Sequence, residues 1–125
     1  MKPLNRSVLV VDDEAIIAEL WSAYVDIMGI KVCGVAATAD EAVQLARAYR
    51  PALVLMDVRL RGQGDGVDAA LAIHESVGSK VVFITGSQAP ATMERIHLDH
   101  PTAVLIKPVD QSLFTRTVTS ALDAA

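Results

Sequence analysis

Five short apolar runs, each followed by a stretch with helical spacing, constrain this chain more than any other feature. The runs are Ser7–Val11, Lys31–Ala36, Ala52–Met56, Lys80–Thr85 and Ala103–Ile106. Ser7–Val11, Ala52–Met56 and Lys80–Thr85, with almost no polar residue inside them, read as strands buried on both faces, the pattern of a parallel sheet covered on each side, while Lys31–Ala36 is less apolar. Between and after them, apolar residues recur every three or four positions, as amphipathic helices require. Ile16, Ile17, Leu20, Trp21, Tyr24, Val25 and Met28 form the first such stripe, and Leu113, Phe114, Thr117, Val118, Ala121 and Leu122 the last. The fourth helix is the weakest, with only Met93, Ile96 and Leu98.

Local punctuation agrees with this division. Gly29 and Pro51 stop the first two helices, Thr38 or Asp40 caps the second, and Asp110 caps the last. Pro90 suits a first helical turn, and Gly62, Gly64 and Gly66 mark a loop after the third run. Five strand–helix units need right-handed crossovers and give an α/β sheet with helices on both faces. The first strand is not followed by a glycine fingerprint, so a flavodoxin-like doubly wound sheet is expected, with strand order 2-1-3-4-5 and five helices. Gly34 interrupts the second strand, which places it at an edge. Residues 1–125 are read as one domain, and Met1 with its short polar start as a natural amino terminus.

Composition excludes some classes of function. A net charge of −4 does not suit a general nucleic-acid binder. Cys33 is the single cysteine, so an internal disulfide is impossible and a reducing compartment fits. No apolar run approaches the roughly 20 residues of a membrane span, and the start lacks a signal peptide's apolar core. A cytoplasmic location is the expectation, without membrane or direct nucleic-acid contact.

Four strands end in residues able to do chemistry: Asp12-Asp13, Asp57, Thr85 and Lys107. Ligands of open α/β sheets bind outside the carboxyl ends of the strands, and a parallel sheet gathers all four ends on one edge. Taken singly, the acids could favour a helix start, Thr85 could be a cap, and Lys107 could be an edge residue reaching for solvent. Gathered, three carboxylates demand a cation, and a hard divalent ion with oxygen ligands such as Mg²⁺ suits them. A lysine and a hydroxyl beside them suit a phosphoryl group, whose transfer depends on positioning and charge neutralisation. Asp57, central and single, is the candidate nucleophile, and the Asp12-Asp13 pair the candidate metal anchor.

In this light the chain resembles a response-regulator receiver domain of two-component signalling, over essentially its whole length. The resemblance rests on Val11-Asp12-Asp13-Glu14, Leu55-Met56-Asp57, Ile84-Thr85-Gly86 and Ile106-Lys107-Pro108 in that order. It implies that Asp57 accepts a phosphoryl group from a histidine kinase or phosphotransfer protein. It further implies that Asp12, Asp13, Asp57 and the backbone carbonyl of Arg59 bind Mg²⁺. Thr85 would bond a phosphoryl oxygen, Lys107 would pair with the phosphoryl group, and the Lys107–Pro108 bond would be cis. A receiver is not an enzyme beyond its own phosphorylation and dephosphorylation. A stand-alone one would act through protein contacts of the fourth helix, last strand and last helix, as a monomer or a weak phosphorylation-dependent dimer.

The sequence departs from the family pattern in three places. Arg61 stands where a proline is usual, in a loop one residue longer. Arg59 and Ser87 occupy positions that tune water access to the acyl phosphate. Val104 stands where a switch Tyr or Phe is common, so signalling is expected to run through the Gly86–Pro90 loop and the fourth helix. Two other classes fit less well. A Mg²⁺-dependent phosphatase with an aspartyl nucleophile needs a second Asp where Arg59 stands. A flavodoxin-like phosphate binder would meet repulsion from Asp12-Asp13-Glu14. The nearer alternative is a degenerate receiver that works as an interaction module without phosphorylation.

Overall fold

The computed structural model describes residues 3–123. Met1, Lys2, Ala124 and Ala125 lie outside the described residues, and with them the reading of a natural amino terminus. Strands and helices alternate: β1 Asn5–Val11, α1 Ala15–Ile27, β2 Lys31–Ala36, α2 Ala39–Tyr49, β3 Pro51–Met56, α3 Gly66–Ser76, β4 Lys80–Thr85, α4 Pro90–Leu98, β5 Ala103–Ile106 and α5 Gln111–Asp123. The strands form one parallel sheet in the order β2-β1-β3-β4-β5, as expected from the sequence.

Side-chain alternation along the strands divides the core in two. Val8, Val10, Leu53, Leu55, Val82 and Ile84 face α1 and α5, where they meet Trp21, Val25, Phe114 and Val118. Leu9, Val11, Val54, Met56, Val81 and Phe83 face the other way, toward Ala42, Ala46, Ala70, Ile73 and Ile96 of α2, α3 and α4. Both faces are covered, so the strands are apolar at consecutive positions rather than alternating. The order reverses between β1 and β3. The chain leaves β1 for α1 on one face and leaves β3 for α3 on the other, which opens a crevice at their carboxyl ends.

The helix ends are built from the residues that suit them. Thr38 caps α2 by accepting from the Glu41 N–H at 3.0 Å, while Asp40 lies inside the first turn. Arg50 ends α2 in the left-handed conformation, at φ 49°. Asp110 accepts from the Leu113 N–H at 2.7 Å at the start of α5. Two details differ from the sequence reading. Some apolar positions placed on the buried stripes lie outside: Ile16 of α1 is 80% exposed and Leu98 of α4 73%, and Leu20 and Leu113 are partly exposed. Trp21, Val25 and Ala18 set the buried face, and Ile16, nine residues before Val25, falls on the opposite side at about 100° per residue. The register of β2 against β1 also slips, because Val8 pairs with Val32 but Leu9 with Gly34, leaving Cys33 as an extra residue on the edge strand.

Candidate functional site

Three site residues are the first residues past their strands, each held by one more rung of the ladder. The Asp12 N–H donates to the Ala36 carbonyl at 3.0 Å, the Asp57 N–H to Val11 at 2.9 Å and the Lys107 N–H to Thr85 at 2.9 Å. The backbone thereby fixes where these side chains start, and the reversal of strand order brings Asp12 and Asp57 together. The Lys107 ammonium joins them, with Nζ donating to Asp12 Oδ2 at 3.1 Å and to Asp57 Oδ2 at 3.3 Å. The other carboxylate oxygens are held by backbone: Asp12 Oδ1 accepts from the Glu14 N–H at 2.9 Å and Asp57 Oδ1 from the Val58 N–H at 2.8 Å. Both carboxylates are therefore oriented, and both are buried, Asp12 at 2% and Asp57 at 7% exposure.

A carboxylate oxygen from each of Asp12, Asp13 and Asp57 lies within 4.8 Å of the others. One lysine against three acids leaves the cluster short of positive charge. Burial, and after it the charge of Asp12, pushes the Asp57 carboxyl up, and Lys107 offsets part of this. Burial alone would lower the Lys107 ammonium, but Asp57 and Asp12 overcome it and hold it above its usual value, fully protonated. An all-oxygen acidic cluster with a charge deficit suits a small hard cation.

Around this cluster lies a cleft of about 490 Å³ lined by Asp13, Glu14, Asp57, Arg59, Thr85, Gly86, Ser87 and Lys107. Thr85 is buried in its wall, and its hydroxyl oxygen accepts from the Ser87 N–H at 3.1 Å, which ties it to the first turn of the β4–α4 loop. The Lys107–Pro108 bond is cis. All the residues singled out from the sequence thus meet here: Asp12, Asp13, Asp57, Thr85, Lys107 and Arg59. The long loop after Asp57 lies against the β2–α2 turn, where the Arg61 N–H donates to Ala37 at 3.2 Å and Arg61 forms a lone parallel bridge with Thr38.

Two features escaped the sequence reading. Gly66 packs directly on the phosphoacceptor candidate: a Cβ there would overlap the Asp57 carbonyl oxygen, and the Gly66 N–H donates to Val58 at 2.7 Å. Its place as the last glycine before a helix was the available signal. Asp65 and Asp68 form a capping box at the start of α3, and Arg95 of α4 grips both. The Asp-x-x-Asp spacing of the box was visible in the sequence, but its partner is 30 residues away from Asp65.

Comparison with known proteins decides the family. A family model of the response regulator receiver domain matches residues 8–119. The chain belongs to the response-regulator receiver family. The transcriptional regulatory protein PdtaR of Mycobacterium tuberculosis is 34% identical over 103 residues, which cover 82% of this chain and 50% of that protein. The phyllosphere-induced regulator PhyR of Methylorubrum extorquens is 32% identical over 121 residues, 95% of this chain and 44% of that protein. The chain therefore spans about half the length of the curated relatives it matches. The signal receiver domain of a modulated diguanylate cyclase from Desulfovibrio desulfuricans G20 superposes with a TM-score of 0.88 at 32% identity, covering 93% of this chain and 92% of that one. No helix among the described residues is long and apolar enough to cross a membrane.

Proposed function

We propose that this receiver takes a phosphoryl group on Asp57 from the phosphohistidine of a sensor kinase or phosphotransfer protein. The observation that carries the reading is the Lys107 ammonium bridging the buried carboxylates of Asp12 and Asp57 in an open polar cleft. An Asp57 oxygen attacks phosphorus, the bond from phosphorus to the donor imidazole nitrogen breaks, and that nitrogen keeps the electron pair. Asp57 is oriented for this by the Val58 N–H and Lys107. Asp12, Asp13, Asp57 and the Arg59 carbonyl would hold Mg²⁺, which when bound supplies charge neutralisation for the phosphoryl oxygens.

The modified side chain carries about two negative charges where one stood. Lys107 remains beside it as the cation, and the Thr85 hydroxyl turns from the Ser87 N–H to donate to a phosphoryl oxygen, releasing the loop that leads to α4. Signalling then passes through the surface of α4, β5 and α5 to a protein partner. Ile16, exposed on α1 three residues beyond Asp13, offers an apolar contact to an incoming donor.

The test is intact mass after treatment with acetyl phosphate and Mg²⁺. One phosphoryl adduct on the wild type, absent without Mg²⁺ and absent in Asp57→Ala, is the expected result. No adduct despite demonstrated Mg²⁺ binding would replace this reading with that of a phosphorylation-independent interaction module.

A further inference from the structure

Helix α4 is attached to the molecule unevenly. Its amino-terminal end has no side-chain cap, since the residue at that position is Ala89. A cavity of about 520 Å³ lies beside that end, between Ser87, Ala89 and Thr92 on one side and Val58, Arg59, Leu60 and Asp65 on the other. The carboxyl-terminal half is held twice. Ile96 is its one buried residue, inserted in the core with Phe83 and Ile73. Beside it Arg95 donates to Asp65 Oδ2 at 2.6 Å and Oδ1 at 3.2 Å, a two-pronged grip, and to Asp68 Oδ1 at 3.3 Å.

Asp65 is itself fixed. Its Oδ1 caps α3 by accepting from the Val67 and Asp68 N–H groups at 3.0 and 3.1 Å, and its own N–H donates to Asp68 Oδ2 at 2.9 Å. The next residue is Gly66, whose backbone sits against the Asp57 carbonyl. A continuous line of short contacts therefore runs from Asp57 through Gly66 and Asp65 to Arg95. On the β5 side, Val104 pairs with Phe83 and packs into the same core, with no ring there to link the strand to α4.

We propose that Arg95 and Ile96, with Met93 packed beside them, form the fulcrum of a lever: α4 pivots about this clamp, with its Pro90–Thr92 end swinging over the cavity beside the phosphorylation cleft. Residues Asp65 and Arg95 thus set how far a change at Asp57 travels along α4. What drives the lever rests on Asp57 being the phosphoacceptor, but the clamp itself can be tested without phosphorylation.

The experiment is site-resolved amide hydrogen exchange and chemical-shift mapping on the whole chain, comparing wild type, Arg95→Gln and Arg95→Lys. In the unmodified protein, Arg95→Gln is expected to lose protection at Glu94–Leu98 by about two- to fivefold, the range an exposed ion pair supports, with α1 and α5 unchanged. Arg95→Lys, which keeps charge but not the two-pronged grip, should lie between. After acetyl phosphate and Mg²⁺, with the adduct checked by intact mass, wild-type shift changes should concentrate between Gly86 and Thr92. In Arg95→Gln they should extend to Leu98. Unchanged protection in Arg95→Gln, or wild-type changes running undiminished to Leu98, overturns the lever. If no adduct forms, the phosphoacceptor reading fails instead, and exchange in the unmodified proteins alone decides the clamp.

Discussion

The two ends of the helical cover are attached in opposite ways. On one face α1 and α5 lock together through rings: Trp21 stacks on Phe114 with centroids 5.3 Å apart, and Tyr24 meets Phe114 edge-on at 5.2 Å. On the other face α4 depends on Ile96, the half-buried Met93 and a charged clamp. The same sheet therefore carries one helix pair that cannot shift without opening the core and one helix whose amino-terminal end is held by far fewer contacts. The difference teaches where each job resides. On the proposed reading, the carboxylates of Asp12 and Asp57, each pinned by a rung of the sheet, need rigidity, while the surface proposed to meet a partner needs a second accessible position.

The largest effect is expected from breaking the rigid side. Phe114→Ala should cost about 3–5 kcal/mol in urea unfolding, because it removes a fully buried ring and both aromatic contacts. A cost below that of a single surface change would mean that α1 and α5 are not the anchored pair. Next comes the link between the two regions. Gly66→Ala forces a methyl group onto the Asp57 carbonyl, for about 1–3 kcal/mol of stability. The rate of acetyl phosphate labelling should fall by about tenfold or more as Asp57 is displaced, and an unaltered rate would show that Gly66 does not position it.

Asp57→Asn should act in the opposite sense. Burial and Asp12 disfavour the charge on Asp57, so a neutral side chain of the same shape relieves the cluster. With EDTA present at pH 7, the expected gain is about 1 kcal/mol, or about 3–6 °C in Tm. A fall in Tm would show instead that the pair with Lys107 outweighs the crowding of acids.

The smallest effect lies at the clamp and depends on pH. Partial burial works to raise the Asp65 carboxyl, but Arg95 and the hydrogen bonds within the capping box outweigh it and hold the carboxyl below its usual value. A lowered acid contributes stability above its unfolded value, near 3.9, and loses it as pH falls through the folded value. Wild type should therefore exceed Arg95→Gln by up to about 1 kcal/mol at neutral pH and converge on it in acid. A gap that persists at pH 2 would assign the stability to packing of the Arg95 stem.

The contrast between the two faces was only partly legible in the sequence. Strand order and the gathering of Asp12, Asp57 and Lys107 were, because doubly buried strands write themselves as unbroken apolar runs and parallel strands end on one side. Ile16 misled because a stripe of seven apolar positions is wider than the face a helix can bury, and only the bulk of Trp21 decides its rotation. Neither the contact of Gly66 with Asp57 nor the grip of Arg95 on Asp65 was visible, since both are distances between loops and helices with no periodicity to announce them.

The slipped residue at Cys33 bears on how these molecules behave in a crowd. An edge strand with an even register is a template on which another copy can pair and extend the sheet without end. At Cys33 the spacing of free N–H and C=O groups along β2 is broken midway, so a neighbour that matches one half is out of step with the other. The same half-burial pushes the thiol's ionisation up, which keeps it a poor nucleophile for cross-linking. One inserted residue thus guards the open side of the sheet against both strand-by-strand aggregation and oxidative coupling.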